Sequence, residues 1–447
     1  MGTSKTISRL IRITALTALA LWAAISLGRV VQQTLSSAGG NDLYTYWYAG
    51  HFLREGKDFY KSFINNELPA VPVSYLDREV TTLDGVIFPD LSPAPATTAP
   101  VFFLMAPFAF LSWSVAKTVW LVINLALLGA IPFLIVRLFP KKKWLDQWEF
   151  LALLLALIGL TSTRYAASSG QITFLILDLM LAAILLADRK PWVSGVLLGL
   201  ALSKYSLAIG ILFLFVFIEP KLRIIIAAVL VQIAGIISLM LISGSGFLKI
   251  IGEYFQMAVW HAGREGVHLA AALHAEKYMI LIALILTLAV GIPVALWRWK
   301  KAGRRLNQSL PLLDRYHLVV ILILWVLLVG YHRAYDVMVT IVYFGLIAYL
   351  AKQPAGWDLS KKVQTILIAF TTVALLLLMV PSGSVVRGLL PPLLETIWGE
   401  IANLMATALI SIFLVLSLLL LFRLRPENHQ ITGGNPCDGS HNSQASN

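Results

Sequence analysis

PWVSGVLLGLALSKYSLAIGILFLFVFIEP, residues 191–220, is the stretch on which the fold turns. By length it reads as one apolar helix, yet Lys204 sits in its middle. Both flanks are basic, with Asp188, Arg189 and Lys190 before it and Lys221 and Arg223 after it. A single pass would bury Lys204 in hydrocarbon and put one basic flank on each side of the membrane. Two short helices that turn at Lys204 keep both flanks on one side and lift the lysine to the opposite interface. The stretch is therefore expected to be a hairpin.

That the solvent is a bilayer follows from composition. With 58% hydrophobic and 13% charged residues over 447 positions, the chain has too little polar surface to cover a water-soluble globule. The apolar runs do not alternate, which excludes a β-barrel and leaves helices, the element that satisfies its own backbone in lipid. The expected fold class is all-α, a polytopic integral membrane protein.

Apolar runs lie near 10–30, 114–138, 147–163, 171–187, 222–243, 277–297, 316–330, 337–350, 363–380 and 401–422. With the hairpin counted twice they make about twelve transmembrane helices. This parity places KKK at 141–143, the Asp188–Lys190 cluster, KLR at 221–223, WRWKKAGRR at 297–305, Lys361–Lys362 and RLR at 423–425 all on the cytoplasmic side. Counting the stretch as one span would export WRWKKAGRR. The net charge of +12 thus reports topology, and no nucleic-acid partner is expected.

Residues 1–425 read as one integral domain of the cell (plasma) membrane, with both termini cytoplasmic and the basic, apolar start kept as an uncleaved first span. The tail 426–447, rich in Asn, Ser and Gly, reads as disordered. It carries the single cysteine, Cys437, so neither an intrachain disulfide nor a Cys-based metal site is available.

Residues with chemistry gather on the other face. The long first outer loop, 31–113, contains GGNDLYTYWYAG (39–50), whose one acid is Asp42. The plain reading is that Asn41 and Asp42 cap a short helix running through Tyr44 to Phe52. The loop ends in SPAPATTAPVFFLMAPFAFLSW, apolar but broken by prolines, as expected of helices lying at the interface. Further outer segments are RYAASSGQ (164–171), the Lys204 turn, 244–276, YHRAYD (331–336) and 381–400. Arg164, Arg264 and His268 there read as solvated, and Gln171 as a cap for the helix that begins at Ile172. Asp178, two turns into an apolar helix, has to face the bundle interior, either flooring a site or pairing with a group such as Gln232.

DLYTYWYAGHFLREGKDFY (42–60), the Pro-rich segment, the run from Ser168 to Ser206 with its Gly-Gln turn and Gly-x3-Gly-x4-Lys, and YHRAYDVMVTIVYF (331–344) occur in an order that resembles the family 87 glycosyltransferases. These belong to the membrane-embedded C-type superfamily and are similar to polyprenyl-phosphate-mannose-dependent mannosyltransferases. The likeness runs from about residue 35 to 350. This chain has Thr-Ala-Pro at 98–100 where the family usually has Tyr-Pro-Pro.

The resemblance implies a C-type glycosyltransferase fold and transfer of a hexose, mannose by likeness, at the outer face. The donor would be a polyprenyl-phosphate-linked sugar, the acceptor a hydroxyl of a glycan or glycolipid, and the catalytic base Asp42. A phosphate leaving group is already ionised, so the chemistry needs one base and some cations. No cofactor and no metal are expected. Lys204, Arg333 and Arg264 are the candidate donor-phosphate contacts. His332, Gln171, Tyr44, Trp47 and Asp336 are the candidates for sugar or acceptor. The alternative, a lipid or glycolipid transporter or flippase, would use repeated halves around a midplane site, and no convincing repeat is present.

Overall fold

In a computed structural model, the protein is described over residues 2–36, 39–65, 97–139, 147–262, 268–302, 309–330, 332–352, 359–380 and 392–423. Arg264, the KKK cluster at 141–143, most of the AGRR end of 297–305, the segment 381–391, Cys437 and the whole 426–447 tail lie outside the described residues.

Every described element is helical. In chain order they are α1 (Gly2–Leu35), α2 (Asn41–Arg54), α3 (Phe59–Ile64), α4 (Ala99–Met105), α5 (Trp113–Arg137), α6 (Gln147–Gly159), α7 (Thr161–Ser168), α8 (Thr173–Leu186) and α9 (Pro191–Ala201). There follow α10 (Tyr205–Phe213), α11 (Leu222–Ser243), α12 (Phe247–Ala262), α13 (Leu269–Ala272), α14 (Met279–Ala302), α15 (Leu312–Val329), α16 (Ile341–Lys352), α17 (Lys361–Met379) and α18 (Pro392–Leu421). A 3-10 helix, Ala334–Thr340, leads into α16.

Nine helices among the described residues are long and apolar enough to cross a membrane, or ten with α6 and α7 taken as one span bent by 67°. One of the nine is Pro191–Ile218, whose 28 residues would reach about 42 Å if straight. It does not run straight. Lys221, just beyond its end, donates to Asp188, just before its start, at 2.7 Å. Arg315 of α15 then joins both ends, binding Asp188 through Nη1 and Glu219 through Nε and Nη2, all within 2.8 Å. The chain therefore doubles back, and it does so at Lys204, whose backbone leaves the helical region (φ −108°, ψ 69°). Each arm of the fold-back, like the 14-residue apolar α8, is shorter than a full span, so the expected count of about twelve stands beside nine or ten described helices that qualify by length and composition.

Two glycines make the hairpin compact. Gly195 and Gly199, one turn apart on α9, lie against Ile224–Ala227 and Ala228–Val231 of α11 so closely that a Cβ on either would come within 2.6 Å of a neighbouring atom. The polar ends of the bundle are thereby sorted. Asp188, Glu219, Lys221, Ser309 and Arg315 meet at one end, where Lys301 of α14 also pairs with Asp314 of α15. Lys204 lies at the other.

Candidate active site

The end of the bundle that holds Lys204 is built on α2. The first backbone donors of this helix are met by the turn before α8: Gly40 N–H bonds to Ser168 O at 2.9 Å, and Asp42 and Leu43 N–H both bond to Ser169 O. The junction demands a glycine on each side. Gly40 (φ 82°) and Gly170 (φ 74°) are left-handed, and a Cβ on Gly170 would meet that of Leu43 at 2.7 Å. The cap position is Gly40, with no side-chain cap. Asp42 is therefore in the first turn and is not the cap, and its carboxylate makes no hydrogen bond among the described residues.

The far side of α2 is clamped to the segment that follows residue 97. Trp47 Nε1 donates to Leu111 O, and Arg54 donates to Ala109 O while its guanidinium covers the Phe110 ring. Tyr44 and Trp47 are buried and stacked on one another, and they meet Trp113 edge-on and tilted respectively. The aromatic residue beside Asp42 in the electrostatic sense is Tyr46, one turn on. Burial, the Asp42 carboxylate and, more weakly, Asp336 push its phenol well above the ordinary tyrosine pKa, so at neutral pH it is an uncharged hydroxyl. Two carboxylates far apart in sequence thus both act on the Tyr46 phenol, and the Thr97 side chain partly offsets them.

The second of these belongs to a closed cluster. Lys204 Nζ donates to Asp336 Oδ1 at 2.5 Å and to Thr173 Oγ1 at 2.8 Å, and Thr173 donates in turn to Asp336 Oδ1 at 2.9 Å. His332 contacts the other carboxylate oxygen through Nδ1 at 3.3 Å and Val326 O through Nε2 at 3.0 Å. The Tyr335 ring lies 4.8 Å from the ammonium. Lys204 is 8% exposed, Asp336 2%, and His332 and Thr173 are fully enclosed. Arg333 is half-buried beside them, and its carbonyl accepts from Asp336 N–H.

Of the residues singled out from sequence, Lys204, His332, Arg333 and Asp336 come together, and Asp42 is tied by its backbone N–H to Ser169, four residues before the Thr173 that Lys204 binds. Gln171 is buried in the turn before α8 but does not cap it: the cap position is Ile172, with no side-chain cap. Gln232 does not pair with Asp178. It bridges Thr98 and the Gly199 carbonyl, both at 2.6 Å. Asp178 does face the interior, with neither oxygen partnered. Arg164 and His268, expected to be solvated, are 3% and 1% exposed; His268 Nδ1 accepts from Ala271 N–H. Tyr46 and Thr173 were missed. For Tyr46 a signal existed, because i and i+4 share a helix face; for Thr173, next to an apolar run, there was none. Among the described residues no three His, Cys, Asp or Glu side chains gather as metal ligands.

Residues 99–381, more than half of the chain, match the sequence model of glycosyltransferase family 87. The matched stretch includes Lys204, His332 and Asp336 and begins after Asp42. No curated protein and no solved structure matches.

Proposed function

Because the chain belongs to glycosyltransferase family 87, and is thus a membrane-bound glycosyltransferase, we propose that it moves a hexose, mannose by resemblance, from a polyprenyl-phosphate donor to an acceptor hydroxyl. The transfer takes place at the outer face of the plasma membrane. The acceptor oxygen attacks the anomeric carbon from the side opposite the phosphate. Asp42 takes the hydroxyl proton as the new C–O bond forms, the bond to the phosphate oxygen breaks, and polyprenyl phosphate leaves as the anion. One displacement inverts the anomeric centre, so a second carboxylate is unnecessary.

The observation that carries this reading is the turn before α8, in which Ser169 O holds the Asp42 N–H and Thr173, four residues on, holds Lys204 and Asp336. It brings a carboxylate free of capping duty to the same end of the bundle as the Lys204–Asp336–His332 cluster. A base must be unencumbered, and Asp42 is the acid there with no bond to break first. His332, Gln171, Tyr44, Trp47 and Asp336 form the sugar and acceptor surroundings in this proposal. Arg333, Arg264 and Lys204 are the cations for the departing phosphate. Of these, Lys204 reaches a phosphate only by exchanging Asp336 for it.

The test uses purified protein, radiolabelled polyprenyl-phosphate sugars and a membrane lipid extract as acceptor. Wild-type protein is expected to give a labelled product. Asp42→Asn keeps size and polarity but takes no proton, and should slow transfer by ~10²–10⁴-fold with donor binding intact. Wild-type turnover by Asp42→Asn would remove Asp42 as base. No product from any polyprenyl-phosphate sugar would remove the donor class.

A further inference from the structure

α7 carries a cation that the cluster above does not use. Arg164 is 3% exposed, and its Nε and Nη2 have no hydrogen-bond partner among the described residues. It forms no ion pair among the described residues, and its guanidinium lies 5.6 Å from the ring of Tyr165, its neighbour in the chain. α1, which packs against α7, carries a second cation, Arg29, whose charge acts on Arg164 along with the Tyr165 phenol. The adjacent hydroxyls of Ser162 and Thr163 are also buried without partners. A buried guanidinium with open donors is costly in a bilayer, and two cations together raise that cost unless an anion joins them.

Arg29 is exposed on α1, whose neighbouring Ile25 and Val31 are also exposed apolar side chains, as on a surface that faces lipid. α7 packs against both α1 and the Ala334–Thr340 helix. Two packed helices thus carry an accessible cation on α1 and a buried one on α7. A guanidinium fork matches a phosphate better than it matches any neutral headgroup.

We propose that Arg29 and Arg164 form a binding site for the phosphate of a membrane lipid that enters between α1 and α7. Ser168 and Ser169, whose carbonyls hold the start of α2, are one turn further along α7, roughly 6–8 Å from residue 164 at helical rise. The helix that would hold the phosphate is thus the one whose C-terminal end holds the Asp42 N–H. The phosphate can be that of a prenyl-phosphate or of a bilayer phospholipid, and the former alternative rests on the transferase reading given above.

The experiment measures lipid binding to the full-length protein in detergent by native mass spectrometry, with no sugar present, so that its outcome is independent of transfer. The probes are a polyprenyl phosphate, phosphatidylglycerol and, as a phosphate-free control, the matching polyprenol. Arg164→Gln is expected to weaken phosphate-lipid binding about tenfold or more, and Arg29→Gln about threefold, with polyprenol binding unchanged. Loss confined to polyprenyl phosphate assigns the site to the donor. Loss confined to phosphatidylglycerol assigns it to a bilayer lipid. Wild-type binding of both phosphate lipids by both variants, or an equal loss of polyprenol, overturns the proposal. Should Arg164→Gln fail to fold, the exposed Arg29→Gln decides alone: a threefold loss supports the site and no loss overturns it.

Discussion

At Lys204 every favourable direction is taken. The ammonium gives hydrogen bonds to Asp336 and Thr173 and lies over the Tyr335 ring. Asp336 in turn is held by Thr173 and His332. Removing one member of a buried ion pair costs more than removing both, because the survivor stays charged without compensation. Lys204→Met is therefore expected to lose about 3–5 kcal/mol of stability, read as a fall in melting temperature in detergent. Lys204→Met/Asp336→Asn should recover most of that loss. A single variant as stable as wild type would mean that the pair does not hold the fold-back. Lys204 was identifiable from sequence as a charge that had to reach an interface. Its partner was not, since Asp336 is 132 residues away and only the packing of the 3-10 helix on α7 brings it there.

Among elements, the α9–α10 hairpin was the most legible and α2 the least. Like-signed flanks on both sides of Lys204 required a reversal, and the contacts of Asp188 with Lys221 and Arg315 show it closed. In α2 the acid and the aromatics were visible, but where each ring turns depends on helix phase, and Tyr44 and Trp47 turn to Trp113 while Tyr46 turns to Phe102. The closed base of the hairpin also sets a pH dependence. Partial burial alone would raise the Asp188 pKa, but hydrogen bonds from Arg315 and Lys221 outweigh it and bring the carboxyl down to about 2. A group depressed by folding stabilises above its unfolded pKa and loses that contribution as pH falls through the folded value. Melting temperature should thus show a decline between about pH 4 and pH 2 that Asp188→Asn flattens. An identical acid profile for the variant would show that the latch does not respond to protonation. Because Asp188 is half exposed, the effect is modest.

For the whole molecule, nine or ten described helices qualify as membrane spans, and it is the charge pattern of the sequence that orients them. Glu55, exposed just after α2, belongs to the Lys204 end, whereas Ser309 meets Lys221 at the opposite end. In a Cys437→Ser background, Glu55→Cys is expected to react with a membrane-impermeant maleimide in intact cells, and Ser309→Cys only after permeabilisation. The reverse pattern would invert the protein and move the chemistry to the cytoplasm. The all-helical, membrane-spanning character was readable because hydrophobic length is a local property. The cluster of Thr173, Lys204, His332 and Asp336 was only partly so, because it joins segments from the middle of the chain to segments from its last third.

The separation between Lys204 and its carboxylate also has a meaning in time. A ribosome adds roughly 5–20 residues per second, so the 132 residues between them take roughly 7–26 s to make. Throughout that interval the hairpin tip is already in the membrane while Asp336 does not yet exist. During biosynthesis the lysine must wait in water or among headgroups, with α9 and α10 still shallow, and settle to its final depth only when the last third of the chain arrives. The apolar hairpin is thus inserted early and locked late.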